Sequence, residues 1–495
     1  MRTNDPKCAT TPGTDGIEGK SRRHGAAKPG DFRHPSIQRG ILKGCASVGL
    51  FADGRTSGRI ACSRSRESHT RSNQVPPMRR SELILAVYLP TALLALTQGL
   101  LIATLPAYAE SLGAGLTTIS LIFSAAAIGT LVTDVPAGAL LHKIGLRNSM
   151  LIGAVLVVIG TMSLALPLDA VTVVLLRLLA GVGTAMWGLS RHAFIAQAVG
   201  PAERGRSISV FGGINRAGMF AGPAIGGYIA TWFGLHAPFL IAGFMGVIAL
   251  VTGVMFIPAD QRQPETRRTS SRSRWGLVRQ RWKTHGGDIT AASVAQFFGQ
   301  VVRQGRLLLI TLIGTSQLDL SLAQVGLILS VSSLVDMAMF YPAGVIMDRF
   351  GRKYTTVPSF AMLAVGVGMF PLASNFLQLM LIGIFIGVGN GLGSGSMMTL
   401  GADLAPPGAT GEFLGIWRLI GDIGNVAGPL VIGLIGEHLS LNKSAIALMV
   451  TGLFAASIFL TLVRETRFAS DAEETITASR IPLKPVDPAA HTNSD

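Results

Sequence analysis

Gly218-Met-Phe-Ala-Gly222-Pro223-Ala-Ile-Gly226-Gly227 is the stretch on which the fold is read, inside an apolar run that starts near Ser207. Gly218, Gly222 and Gly226 recur every four residues and share one helix face. In lipid, apolar bulk gives helices no drive to associate, so a face of small residues matters because it lets a neighbour come close. Pro223 removes a rung of the hydrogen-bond ladder and predicts a bend, which membrane helices tolerate. The stretch also has a copy. Adding 206 lands on Gly424-Asn-Val-Ala-Gly428-Pro429-Leu-Val-Ile-Gly433.

The same offset joins Gln98-Gly99 to Gln304-Gly305, Pro136-Ala137-Gly138 to Pro342-Ala343-Gly344, and Gly181-Val182-Gly183 to Gly387-Val388-Gly389. A gap-free offset through so many anchors is an internal repeat, one membrane half followed by another.

Composition agrees. Apolar residues make up 49% and charged residues 14% of the 495, against about 25% charged in a soluble domain. A span needs about 20 apolar residues. Twelve such runs are present, near 83–108, 116–138, 149–168, 171–197, 207–232, 236–257, 289–314, 322–343, 354–374, 377–402, 411–436 and 444–463. The fold expected is an all-α membrane protein of two six-helix repeats. Its halves are placed at 78–257 and 288–464, with a linker at 258–287 and a tail at 465–495.

Residues 1–77 are polar and aperiodic, and read as a disordered basic extension. Two accounts stay open: a tail touching anionic lipid, or a gene start placed upstream of a true beginning at Met78. Composition favours the second. Cys8, Cys45 and Cys62 all lie there, with spacing that fits no metal site. The net charge of +15 resides in that tail and in alternate loops, which argues for membrane topology rather than nucleic acid. Lys143 and Arg147, Arg204 and Arg206, the run at Arg349-Arg352-Lys353, and the arginine-rich 258–287 stretch mark one side. The positive-inside rule puts that side, with both termini, in the cytoplasm of a cell (inner) membrane protein.

Two loop stretches carry a further pattern. Gly138-Ala-Leu-Leu-His142-Lys143-Ile-Gly145-Leu-Arg147 follows span 2, and Gly344-Val-Ile-Met-Asp348-Arg349-Phe-Gly351-Arg352-Lys353 follows span 8. With Arg177-Leu-Leu-Ala-Gly181-Val-Gly183 and the glycine-proline stretch, they resemble the signature motifs of the major facilitator superfamily over about residues 80–465. The fit is closest to its twelve-span drug:proton antiporter branch. The resemblance implies that the loop motifs lock the halves together on the cytoplasmic side, and that the glycine-proline motif marks the antiporter branch. His142 stands where the family pattern has an aspartate. It reads either as drift in one copy while Asp348 stays intact, or as a pH-sensitive latch.

Ionisable groups within spans are costly and point to function. The acids are Asp134, Asp336 and Asp422; the bases are Arg177, Arg216, Arg303 and Arg306, with Arg191-His192 toward one end of span 4. By family architecture span 5 meets span 8 and span 2 meets span 11. Arg216 is therefore expected to pair with Asp336, either as a fixed structural pair or as part of proton coupling. Asp336 is the first candidate for the coupling carboxylate and Asp422 the second, with Asp134 nearer the gate. Spans 1, 4, 7 and 10 line the cavity in this family. Arg303 and Arg306 share a helix face, and with Arg177 they make a cationic cavity suited to an anion, unless carboxylates or helix ends neutralise them. Gln98, Gln304 and Asn390 complete the cavity candidates. The glutamines either bond substrate or join helices. Span 10 is dense in glycine, which suits close packing or flexing.

No phosphate-binding Gly-x-x-x-x-Gly-Lys loop is present and no catalytic or metal constellation stands out, so the chain does not read as an enzyme and neither cofactor nor metal is expected. The expected partners are a small-molecule substrate, protons and the lipid bilayer, and the expected working unit is a monomer. The function expected is proton-coupled efflux of a small organic molecule by alternating access. Uptake of an organic anion by symport, or a non-transporting membrane sensor or assembly factor, are the alternatives.

Overall fold

The computed structural model describes residues 80–198, 201–258 and 271–465. Readings that fall on residues 1–77, on 259–270, on the tail beyond 465 and on the His142 side chain lie outside the described set. Twelve long helices carry the fold: α1 Leu89–Ser111, α2 Leu116–Ile144, α3 Leu146–Met162, α4 Ala170–Ala198, α5 Pro201–Phe233, α6 Ala237–Phe256, α7 Ser271–Leu312, α8 Leu322–Phe350, α9 Lys353–Gly368, α10 Phe376–Leu392, α11 Thr410–His438 and α12 Leu441–Thr461. Ten of the described helical stretches are long and apolar enough to cross a membrane. The other two, α5 and α7, are longer still but carry arginine along their length. The chain is a multi-pass membrane protein.

Several helices outrun their apolar spans. α2, α5 and α8 continue past the expected ends because helical hydrogen bonding does not stop where apolar residues do. The clearest difference is α7, which starts at Ser271, well inside the stretch read as linker, and passes a kink at His285. Val278 on this early part is buried, while Arg274 pairs with Glu412 at 3.0 Å and the Arg281 Nε donates to the Leu404 carbonyl. A basic stretch thus became helix because its own far side packs down. α10 departs the other way. It ends at Leu392, breaks at Gly393–Gly395, and resumes as a short helix Ser396–Leu404. Gly395 caps that helix at φ +84, a conformation that disfavours a side chain.

Packing repeats with the sequence. α1 lies on α5 and α6 as α7 lies on α11 and α12, and α4 joins α2 and α3 as α10 joins α8 and α9. The two halves meet along α5 on α8 and α2 on α11. The glycine faces serve contacts inside each half. A methyl group on Gly218 would lie 2.6 Å from the Ala95 Cβ, and one on Gly226 would strike the Leu100 carbonyl, both on α1. In the copy, one on Gly424 would lie 2.9 Å from the Gln300 Cβ on α7. Gly227 and its equivalent Gly433 face the other way, onto Leu322 of α8 and Ser120 of α2. α5 runs on through Pro223 as one helix, and the amide of Ala224 donates to the Ser330 hydroxyl of α8 at 2.9 Å.

The two ends differ. At the end away from the basic loops, Glu437 accepts the Thr117 amide at 2.7 Å, Thr231 accepts the Ala323 amide at 3.0 Å, and Ser316 donates to Glu110 at 3.3 Å. Each of these bonds crosses from one half to the other. At the basic end, methyl groups on Gly212, Gly213, Gly344, Gly411 or Gly415 would meet nothing within 4 Å. Among the described residues, the halves are joined at the far end and open around these glycines at the basic end.

Candidate substrate cavity

Three lobes of about 210, 200 and 380 Å³ open between the halves and share lining residues. Gln98 lines the first and second, Gln304 the first and third, and Asn215 the second and third. The first lobe is mainly apolar, with Leu101, Leu105, Phe123 and Met219 on its wall and Arg177 at its side. The Arg177 Nε is shielded and has no hydrogen-bond partner. Among the described residues neither Gln98 nor Gln304 is hydrogen-bonded to a neighbouring helix, and Gln98 is exposed to the opening.

The second lobe holds Arg191, His192 and Arg418. Arg191 stacks 3.7 Å over the Phe211 ring, and the His192 Nδ1 lies 2.7 Å from the Gly188 carbonyl within α4. Arg418 escaped the sequence reading. It stands one turn before Asp422, 3.4 Å from that carboxylate, and reaches 3.6 Å from Asp134 on α2. Asp134 and Asp422 thus meet through one guanidinium across the halves, and Asn425 also donates to Asp422 at 3.2 Å. The i, i+4 spacing of Arg418 and Asp422 was the available signal.

The third lobe gathers Arg216, Arg303, Arg306, Asp336 and Asn390. The expected Arg216–Asp336 ion pair is not direct. Arg216 donates to the Ser394 hydroxyl at 3.4 Å, and Ser394 donates to Asp336 at 3.2 Å. The second Asp336 oxygen accepts from Asn390 at 2.8 Å. The physical reason is the break in α10, which inserts Ser394 between the two charges, while Arg216 settles 4.7 Å over the Phe340 ring. Ser394 is therefore a second residue that the sequence reading lacked, visible only as a serine between glycines.

Arg303 and Arg306 do project together into this lobe. Arg306 is 6% exposed and bonds the Ser332 hydroxyl at 3.4 Å, with its Nε unpartnered. Arg303 lies 5.6 Å over the Phe360 ring, and its Nε and Nη2 have no hydrogen-bond partner. The carboxylates of this cavity are taken up by Ser394, Asn390 and Arg418, so no side-chain carboxylate neutralises Arg177 or Arg303 by direct ion pairing among the described residues.

The loop motifs sit away from the cavity. Gly145 and Gly351 adopt positive φ of 85 and 112 where the chain turns into α3 and toward α9. Arg352 pairs with Asp403 at 2.8 Å, and the amides of Arg352 and Lys353 donate to Glu465 at 2.9 Å. Arg147 donates to the Val254 carbonyl at 2.9 Å. Arg349 lies 5.5 Å from the Phe350 ring, and Asp348 is exposed. All these contacts stay within one half. Among the described residues, the motif contacts named here do not join the two halves.

Two repeated bundles of six helices, a cavity shared between them, and one sealed end define a secondary-transporter architecture. The Major Facilitator Superfamily model matches residues 87–316 and 293–491, and the chain belongs to that family. It is 26% identical to the Multi-drug resistance efflux pump PmrA of Streptococcus pneumoniae, over 74% of this chain and 93% of the relative. It is 20% identical to a protein of Methanocaldococcus jannaschii named as an MFS-type transporter, over 75% and 97%. Among solved structures, a D-xylose–proton symporter superposes with a TM-score of 0.63 at 16% identity, over 78% of this chain and 98% of that one.

Proposed function

We propose that the chain moves a small organic anion together with a proton, by alternating access across the cell membrane, with both termini in the cytoplasm. The observation that carries this reading is the set of guanidinium groups on the cavity, Arg177, Arg303 and Arg306, each with a shielded Nε that has no hydrogen-bond partner. An unpaired buried donor is costly, and an anionic cargo would satisfy it. The apolar first lobe beside them suits the hydrocarbon part of such a molecule.

The sign of coupling follows from the third lobe. Asp336 carries the one carboxylate there and is held through Ser394 in reach of Arg216. A proton on Asp336 removes the negative charge that competes with cargo for the arginines. Proton and anion then each favour the other, as reciprocity requires, and travel the same way. The expected direction is uptake, which was the alternative at the level of sequence.

Efflux remains the second reading, and the likeness to a drug efflux pump favours it. Reconstituted liposomes separate the two. With the outside acid, symport predicts accumulation of benzoate-like acids inside, driven by the pH gradient and indifferent to membrane potential for a monoanion. Exchange of a proton against substrate, with substrate moving toward the acid side, would overturn symport in favour of efflux.

A further inference from the structure

The break in α10 lies at the wall of the third lobe, where Ser394 and Gly395 line the cavity. The nine-residue helix Ser396–Leu404 begins there without a side-chain cap. Its first-turn amides therefore lack a side-chain acceptor, and a helix N-terminus attracts negative charge. Trp417 of α11 fixes this helix by donating from its indole nitrogen to the Met397 carbonyl at 3.0 Å.

A helix start alone is not a site. The second observation is the arginine beside it. A methyl group on Gly393 would fall on the Arg303 Nη2 and the Ser359 hydroxyl, so the missing side chain makes room for the Arg303 fork at the break. The Arg303 Nε and Nη2 are shielded and unpartnered, and Arg306, 6% exposed, adds an unpartnered Nε in the same lobe. From the other half Arg216 reaches the break through Ser394 at 3.4 Å. Donors from α5, α7 and α10 thus line one lobe, where Asp336 is the one carboxylate among its lining residues.

We infer that the break at Gly393–Gly395 is an oxyanion subsite that receives the charged head of the transported molecule. A carboxylate or a phosphoryl group has the required oxygens, which would accept from Arg303, Arg216 and the open helix start, and from the Ser394 hydroxyl once it turns from Asp336. The inference rests on the reading that the cargo is anionic. It adds where the charge sits and why α10 is broken there. Since Arg216 belongs to one half and the break to the other, an anion held at this point ties the halves together at the level of the cavity.

Thermal denaturation of the purified full chain tests the subsite without requiring transport. Benzoate and methylphosphonate should each be titrated, with benzamide and sodium chloride as controls for shape and ionic strength. At least one oxyanion should raise the melting midpoint while the controls do not. Arg303→Gln and Ser394→Asp, the latter placing a carboxylate in the break, should weaken the apparent affinity by about tenfold or more. Lys443→Gln, which removes a cation at an exposed helix start, should leave it unchanged. If Ser394→Asp does not fold, Arg303→Lys keeps the charge but loses the fork, and should also weaken binding. Oxyanion protection that survives Arg303→Gln at wild-type affinity would overturn the subsite while leaving an anionic cargo in place. Failure of both oxyanions to protect the wild-type chain would overturn both.

Discussion

Gly99 and Gly222 touch backbone to backbone where α1 crosses α5: a methyl group on Gly99 would lie 2.8 Å from the Gly222 Cα. The copy repeats it, because a methyl group on Gly428 would lie 3.0 Å from the Gly305 nitrogen where α7 crosses α11. One crossing is thus built twice from the same two positions, 206 residues apart. Helices in lipid gain most from this sort of close approach.

Gly222→Leu should accordingly force α1 and α5 apart. Overpacking of a tight site costs about 1–3 kcal/mol, and the neighbouring atoms here are backbone, which yields less than a side-chain tip. The melting midpoint in detergent should fall, with a matching loss for Gly428→Leu. Gly287→Leu, where added atoms meet open space, should be tolerated. Equal midpoints for all three would remove the packing role.

The repeat and the twelve spans were legible in the sequence because glycine spacing and apolar runs are local patterns, whereas the two seams followed from the family resemblance. The site was legible in part. Arginine and aspartate within spans announced the cavity, but how they pair depends on where a helix breaks. Glycine density in α10 fitted packing and flexing alike, and the structure shows close packing and a break in the helix. Gly391 packs against the Asp336 backbone, while Gly395 ends the break. Arg418 was missed because it lies near the start of its span, where a cation looks like a boundary. The basic linker read as loop because charge hides helix propensity, and α7 begins inside it.

Sealing at the far end predicts a specific cross-link. In a chain freed of Cys8, Cys45 and Cys62, cysteines at Thr231 and Ala323 should form a disulfide, since the Thr231 hydroxyl accepts the Ala323 amide at 3.0 Å. Oxidation should stop transport and reduction restore it, because alternating access requires this end to part. In separate variants, cysteines at Gly212 and Gly415 should react with an impermeant maleimide from the basic-loop side. Transport that persists with the cross-link formed would contradict the proposed rocking.

Arg418 bridges Asp134 and Asp422, yet its side chain is 56% exposed. Exposed pairs contribute about 0–1 kcal/mol, so Arg418→Gln should change the melting midpoint only slightly. Asp134→Asn should do no further harm when Arg418 is already Gln, a non-additivity that a double-mutant cycle reads. Strict additivity would mean that the bridge across α2 and α11 carries no coupling.

Arg303 and Arg306 lie on α7 with unpartnered nitrogens in one lobe. If they read charge, Arg303→Gln with Arg306→Gln should reduce transport of an acid far more than that of its amide. Initial rates for the two substrates measure this. A parallel loss for acid and amide would make the arginines supports of the helix rather than readers of the cargo.

Asp336 is the residue proposed to carry the coupling. Its two oxygens accept from Asn390 at 2.8 Å and Ser394 at 3.2 Å, so both partners lie on or at the end of α10 while the carboxylate itself belongs to α8. Ser394 in turn accepts from Arg216 in the opposite half at 3.4 Å. Adding a proton to Asp336 weakens the hold on Ser394 and frees Arg216, which alters a contact between the halves at the point where they rock. A pH gradient of one unit supplies about 1.4 kcal/mol per proton, enough for about tenfold accumulation of a monoanion. Asp336→Asn keeps the shape and loses the proton site. It should therefore bind the anion and exchange it downhill, yet concentrate none against its gradient, and its exchange rate should lose its dependence on pH. Liposomes loaded with unlabelled acid give the exchange, and the same liposomes under a pH gradient give the accumulation. Accumulation by Asp336→Asn at the wild-type rate would transfer the role to Asp422, whose Arg418 bridge offers the next carboxylate between the halves.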